Sequence, residues 1–538
     1  MPVPVPPLQQ AELPKRKTAL FKMMGPGIVM AGIAIGSGEL IMWPWITSIV
    51  GAQLIWAAAI GIFLQLWINV EVGRWTVVTG ESPLIGMVRV VKLIVYLWVF
   101  LVVVGKFLPG WARETGVSLR SLIFGIENKS LPEWLWAEWV WTAIVFAVIA
   151  AILFGPKVIY TAVERCIMGL VAIIVVGLIY VVWEIGSADL FGDMWRGLLN
   201  VGRFPDFPVE IPPVNGEARP PFAFSQFFGA LVFAGLGGLG NLYYAYYLRE
   251  KKIGMGQRMP PLMSPTHKHE VKEIDAGYVY PESEENRRRF RDWMKYVWVD
   301  QVFCFWILGS FTMFLFIFGS LAVLHPEGLV PSRGSLVWDL AGILEESMGT
   351  SGHYLFLFVG MAALFSSQLG GVDGGSRIFA DMLHTSFKFG RRLSLEKWYL
   401  VLVAATIVVG TASVAFFERR GTAGLDFLFY SALIGGFAMA VYVPLLLYMN
   451  MTKLPKSARP GWINIFFVGI ASVMYIGFAV YTIAEKVVRM MAPGPCSRPR
   501  AGCRRCCRPC SWDSTSRSPA PDPGRSPRPR PPKSGPGR

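Results

Sequence analysis

Charge is what this chain has least of. Only 16% of its 538 residues are Asp, Glu, Lys or Arg, while 53% are hydrophobic and 14% aromatic. Soluble domains carry about 25% charged residues, so this pool cannot clothe a water-facing surface of such length. Histidine is scarce as well. The five, His267, His269, His325, His353 and His384, are scattered over loops and span ends without metal-ligand or triad spacing. His267-Lys268-His269 reads as a solvated turn. No Walker A phosphate loop occurs, which excludes drive by ATP, and nothing else supports an enzyme or a receptor. Of seven cysteines only Cys166 and Cys304 lie in the apolar body, where packing explains them.

What the chain has is apolar runs of about 20 residues, each long enough to cross a hydrocarbon core of about 30 Å. Eleven are expected: 25–49, 54–78, 94–124, 136–154, 158–183, 224–247, 297–324, 353–371, 399–417, 427–449 and 462–484. The fold class is therefore an all-α membrane protein with a short N-terminal segment (1–22) and a transporter domain (23–485). Glu39 and Pro44 stand where a signal peptide would need small residues, so the first run is read as a mature helix. Lys453, Lys456 and Arg459; Lys388, Arg391, Arg392 and Lys397; and Arg287, Arg288, Arg289 and Arg291 fall on one side. The positive-inside rule makes that side, and the N-terminus, cytoplasmic in a multi-pass inner-membrane protein.

The tail, 486–538, breaks the pattern. After Arg489 it holds eleven Lys and Arg against Asp513 and Asp522, nine of the formal +15. Cys496, Cys503, Cys506, Cys507 and Cys510 include two CxxC pairs resembling half a zinc site, but Cys506 and Cys507 are adjacent and no histidine is near. The tail reads as a disordered basic extension or as a sequence translated in the wrong frame, the latter preferred. Nucleic acid is not expected as a partner; the bilayer is, and oligomeric state is left open.

Inside lipid every backbone polar group needs a partner, so glycine runs at membrane depth are informative. There are three: Gly36-Ser37-Gly38-Glu39 in the first span, Gly235 to Asn241 in the sixth, and Gly370 to Gly375 at the end of the eighth. If ten helices form two inverted repeats of five (about 23–185 and 222–450, plus an eleventh helix), spans one and six are equivalent, and matched breaks place a substrate site between them. The competing explanation for each is close helix packing through small residues. Glu39 is the sharpest residue, since a midplane carboxylate costs several kcal/mol unless paired, protonated or cation-bound. The candidate site is Gly36, Ser37, Gly38, Glu39, Gly238, Gly240 and Asn241. Glu114, Lys106 and Asp373 form an additional polar site or proton route, against ion pairing for Glu39 (with Lys106 or Arg377) and for Glu114 (with Arg113), and simple solvation for Asp373. Asp300 is expected to pair locally.

Gly25-Pro26-Gly27, Gln65 through Thr79-Gly80, Trp195-Arg196-Gly197-Leu198-Leu199, Asn241-Leu242-Tyr243 and Pro444-Leu445-Leu446 together resemble the Nramp divalent-metal transporters of the LeuT-fold superfamily, over roughly residues 20 to 485. That resemblance implies a 5+5 inverted repeat with broken helices 1 and 6. The family's Asp-Pro-Gly-Asn motif falls on Gly36 to Glu39, so its aspartate becomes Gly36 and its asparagine Glu39. Its Met-Pro-His motif falls on Gly238-Leu239-Gly240, removing the thioether and the histidine. Related magnesium transporters also lack the methionine. Glu114 matches an acidic residue on the family's proton route, and Trp111 replaces its acidic neighbour. The expectation is a secondary transporter of a divalent cation (Mn, Fe or Mg class) by alternating access, with protons as coupling ion and no cofactor beyond the transported metal. The alternative is a small organic solute such as an amine or amino acid, with Glu39 holding an ammonium group.

Overall fold

A computed structural model describes residues 3–16, 19, 24–125, 132–156, 158–213, 219–262, 276–332, 336–421 and 424–491. The cysteine-rich tail and the His267-Lys268-His269 turn lie outside the described residues.

Eleven membrane helices follow one another. Helix 1 joins Pro26–Ala34, Ile35–Met42 and Trp43–Val50; helix 2 is Ile55–Thr79; helix 3 joins Ile94–Lys106 and Gly110–Phe124; helix 4 is Glu138–Phe154; helix 5 is Ile159–Ile185. Helix 6 joins Phe224–Val232 and Tyr243–Glu250, and helix 7 runs from Glu284–Val299 through Asp300–Ile307 and Leu308–Gly319 to Ser320–Leu324. Helices 8 to 11 are Thr350–Ser386, Leu395–Glu418, Gly424–Lys453 and Trp462–Met491. By length and hydropathy alone eight runs qualify as spans. Helices 1 and 2 run together as one 54-residue stretch, helix 4 has 17 residues, and helix 6 is divided, which accounts for the difference from eleven.

Two apolar surfaces shape the bundle. Outer faces carry Val176, Val408 and Val473 exposed, as a lipid-facing surface does, while helix 8 buries most of its length among its neighbours. The third glycine run does not break it. Helix 8 stays α-helical from Thr350 to Ser386 because Gly370 and Gly374, four apart on one face, are contact points: a Cβ on Gly370 would meet Ile33 Cγ1 at 2.2 Å, and one on Gly374 would meet Tyr243 Cγ at 2.4 Å. This stretch is a small-residue packing stripe against helices 1 and 6.

The N-terminal segment is built into the face where helix 7 begins. Gln9–Gln10 pair in parallel with Tyr278–Val279. Leu13 is fully buried; its N–H donates to Asn286 Oδ1 at 3.2 Å and its carbonyl accepts from Arg289 at 2.8 Å, while Trp293 donates to the Pro14 carbonyl. Nearby, Glu81 accepts from Gly277 N at 2.7 Å and pairs with Arg89, which also donates to the Pro6 carbonyl. Burial pushes the Glu81 carboxyl up from its usual range, with Arg89 opposing. Leu13→Ala is expected to cost about 2 kcal/mol or more, the usual penalty for a leucine-sized cavity, read as a lowered unfolding temperature in detergent. An unchanged temperature would show that the segment does not stabilise the bundle.

Candidate substrate site

Helix 6 is interrupted at its glycines. Gly235, Gly237 and Gly238 have φ of 120°, 63° and 52°, left-handed backbone that only glycine adopts without strain, and Gly238–Leu242 form a 3-10 turn before the helix resumes. Such an opening leaves carbonyls and amides unpaired in the apolar interior, and one side chain closes the account. The Gln65 amide of helix 2 donates to the carbonyls of Val232 (2.8 Å) and Ala234 (3.1 Å) and accepts from Gly237 N (2.8 Å). On the other side Gly238 N points at the Met439 sulfur of helix 10, 3.2 Å away. A thioether thus stands beside the break, supplied by a helix other than the one whose methionine is missing.

In helix 1 the interruption at Gly36 to Glu39 is an eight-residue π-helical stretch, Ile35–Met42. Two serines of helix 8 stitch it: Ser367 Oγ accepts from Gly36 N (3.1 Å) and donates to the Ile33 carbonyl (2.5 Å), and Ser366 Oγ donates to the Gly32 carbonyl (2.6 Å). Hydroxyls inserted into a helical ladder are a recognised cause of such widening. Gly38 lets helix 1 lie on helix 6: a Cβ there would be 1.7 Å from the Phe233 carbonyl oxygen.

Glu39 is fully buried and makes no ion pair with Lys106 or Arg377. Its Oε2 accepts from Thr312 of helix 7 at 2.5 Å, while Oε1 has no hydrogen-bond partner. Asn241 is also buried; its Nδ2 donates to the Tyr442 hydroxyl at 3.3 Å and its Oδ1 is unpartnered.

Helix 3 has an interruption that its apolar run conceals. Phe107, Leu108 and Pro109 separate two helical segments, and Gln368 of helix 8 accepts from Ala112 N (3.0 Å) at the start of the second. The Pro109-Gly110 pair was the available signal. A cavity of about 190 Å³ lies where this opening meets helices 6, 8, 9 and 10. Of the sequence-predicted residues, Gly238, Gly240 and Lys106 line it; Gly36, Gly38, Glu39, Asn241, Glu114 and Asp373 do not. Trp111 lines it as well.

The other polar candidates are occupied elsewhere. Asp373 is not solvated but fully buried; it accepts from Arg377 Nε at 2.9 and 3.0 Å and from the Tyr399 hydroxyl at 2.8 Å, and Arg377 continues to Glu250 at 2.7 Å. Glu114 pairs with Arg113, which also holds Glu138. Asp300 accepts from the Tyr244 hydroxyl at 2.9 Å and from the amides of Gly25 and Gly27 that open helix 1, rather than from the neighbouring basic cluster. His353 is paired with Glu345 and His325 with the Ser48 carbonyl.

The family described as natural resistance-associated macrophage protein-like, Nramp, matches residues 272–485. Over that stretch the chain is similar to the Nramp family. Its fold is that of a manganese transporter from Eremococcus coleocola. One structure of a variant of that protein superposes with a TM-score of 0.58 at 13% identity, covering 91% of this chain and 92% of the other. A second, in complex with an aromatic bis-isothiourea compound, gives 0.60 at 12% identity, over 90% and 91%. No curated protein sequence matches the chain. That shared fold places the π-helical stretch of helix 1 beside the interruption of helix 6.

The glycines of the chain separate into two kinds, which a pair of variants distinguishes. Gly38→Ala drives a methyl into the Phe233 carbonyl and is expected to cost about 3 kcal/mol or more, the upper range of overpacking. At Gly371 a Cβ meets nothing within 4 Å, so Gly371→Ala is expected to be neutral or to gain up to about 1 kcal/mol of helix propensity. Thermal unfolding of the two purified proteins in detergent checks this; equal losses would refute the packing role of Gly38.

Proposed function

We propose that this protein is a secondary transporter that moves a divalent metal cation by alternating access of its two repeats, with Glu39 as the charged ligand. The observation that carries the reading is the Glu39 carboxylate itself, buried at the π-turn of helix 1 and, among the described residues, without a cationic partner and with one oxygen free of hydrogen bonds. A carboxylate in that environment carries a cation or a proton. Exchange of the two on one group couples metal movement to a proton gradient. The family match and the manganese-transporter fold support metal as cargo.

Among the described residues no three His, Cys, Asp or Glu side chains gather into a metal cluster. The remaining ligands in this reading are oxygens of the helix 6 opening, the Phe233 carbonyl against Gly38 and Asn241 Oδ1. An oxygen shell suits Mg²⁺ or Mn²⁺ over softer ions. Lys106 keeps a cation out of the neighbouring cavity, so the ion is assigned to the side where helix 1 meets helix 7.

Orientation follows from the N-terminal segment, which shares a face with Arg287, Arg288, Arg289 and Arg291 through the Leu13 to Arg289 contact. The positive-inside rule supports a cytoplasmic assignment of that face, in keeping with an inner-membrane protein.

Protein in liposomes is expected to accumulate Mn²⁺ or Mg²⁺, faster with an acidic exterior. Glu39→Gln is expected to slow uptake by about 100-fold, in line with loss of a charge-assisted ligand worth about 3 kcal/mol. Uptake unaffected by Glu39→Gln would remove Glu39 from the site; a wild-type protein that transports neither ion would reject the cation reading.

A further inference from the structure

The cavity poses a separate problem of charge. Lys106 is the one Lys, Arg, Asp or Glu in its lining, and the amine has no carboxylate within ion-pair distance among the described residues. Its contacts are the Thr406 hydroxyl and, at 3.5 Å, the Leu402 carbonyl, both of helix 9. An ammonium group carries three donors, so one is left over. The carboxylates that might have neutralised this wall are committed, Asp373 to Arg377 and Tyr399, Glu114 to Arg113.

An unpaired ammonium at membrane depth costs several kcal/mol, and desolvated donors without acceptors add to the cost. The wall therefore has a deficit of negative charge, in a chamber lined mostly by apolar residues such as Leu101, Leu108, Phe233, Leu236 and Ile434, with Ser367, Gln368 and Ser431 as neutral polar groups. At about 30 Å³ per water, 190 Å³ corresponds to about six waters, room for a solute of a few carbons. A metal cation would meet only repulsion here.

We propose that this cavity is a binding site for a small organic monocarboxylate, its carboxylate held by Lys106 and its branched or aromatic body against the apolar wall. The site is distinct from Glu39 and does not depend on the metal reading. It contains no acid to receive an ammonium group, so the free acid is preferred to the corresponding amino acid or amine.

Three probes of one shape test this on full-length protein in detergent with EDTA present, by calorimetry: 4-methylpentanoate, L-leucine and isopentylamine. The expected order is 4-methylpentanoate above leucine, with no binding of isopentylamine. Lys106→Met, which keeps the alkyl stem, is expected to weaken 4-methylpentanoate by about tenfold or more, the loss of one charge-assisted hydrogen bond, and Lys106→Arg to keep it within about threefold. Should Lys106→Met not fold, the order of the three probes and the Lys106→Arg value still decide. Saturable binding of the amine, leucine binding more tightly than the acid, no saturable binding of the acid, or undiminished affinity in folded Lys106→Met would each overturn the proposal. Because EDTA removes metal, a negative result here leaves the Glu39 reading standing, and loss of metal uptake in Glu39→Gln leaves this one standing.

Discussion

A backbone amide or carbonyl surrounded by lipid or apolar side chains has no water to turn to, and this requirement governs the whole centre of the molecule. Each opened helix is closed by a polar side chain from a different helix. Gln65 of helix 2 spans the gap in helix 6, Gln368 of helix 8 caps the second half of helix 3, and Ser366 and Ser367 of helix 8 stitch the widened turn of helix 1. Helix 8 serves two of the three openings and packs its glycines on helices 1 and 6 as well. A movement that alters one opening must exchange these partners, which ties the local geometry of the site to the relative position of whole helices.

Charge is distributed by a different logic on each side of the cavity. Asp373, Arg377, Glu250 and Tyr399 form a satisfied cluster joining helices 6, 8 and 9. Such clusters are neutral or costly for stability next to apolar packing, but breaking one partner is expensive, so they hold helices in register. Glu39 and Lys106 are the opposite case. Each is a single charge whose protein contacts are neutral: a threonine hydroxyl for Glu39, a threonine hydroxyl and a carbonyl for Lys106. The satisfied cluster explains itself structurally; the two singletons are the groups on which the proposals for cargo and ligand rest.

The apolar runs made the eleven helices legible, because length and hydrophobicity of a membrane helix are set by the bilayer rather than by tertiary context. The helix 6 opening was legible for an equally local reason, since three glycines in left-handed conformation need no context to be permitted. What stayed hidden depended on partners far away in sequence. Gly370 to Gly375 looks like a break and is a packing stripe, because Ile33 and Tyr243 press against it. Pro109 looks tolerable in an apolar run and marks a break, because Gln368 waits 256 residues later to cap it. Lys106 and Glu39 could be imagined as a pair from sequence; the fold gives them separate neighbours on helices 9 and 7.

The same separation bears on how a site can be rebuilt. Helix 6 carries Gly238 and Gly240 where the Nramp pattern has a thioether and an imidazole, and a thioether nevertheless stands at the break, contributed by Met439 from helix 10. The Gly238 amide donates to it, so this sulfur takes part in satisfying the opened backbone. Gly238 faces Gly435, where a Cβ would stand 3.0 Å from the facing Cα. The small residues of helices 6 and 10 thus let two backbones meet where side chains would otherwise stand. The chamber beside them is lined by apolar and small residues with Lys106 as its charged group, while the Glu39 carboxylate contacts helix 7 through Thr312.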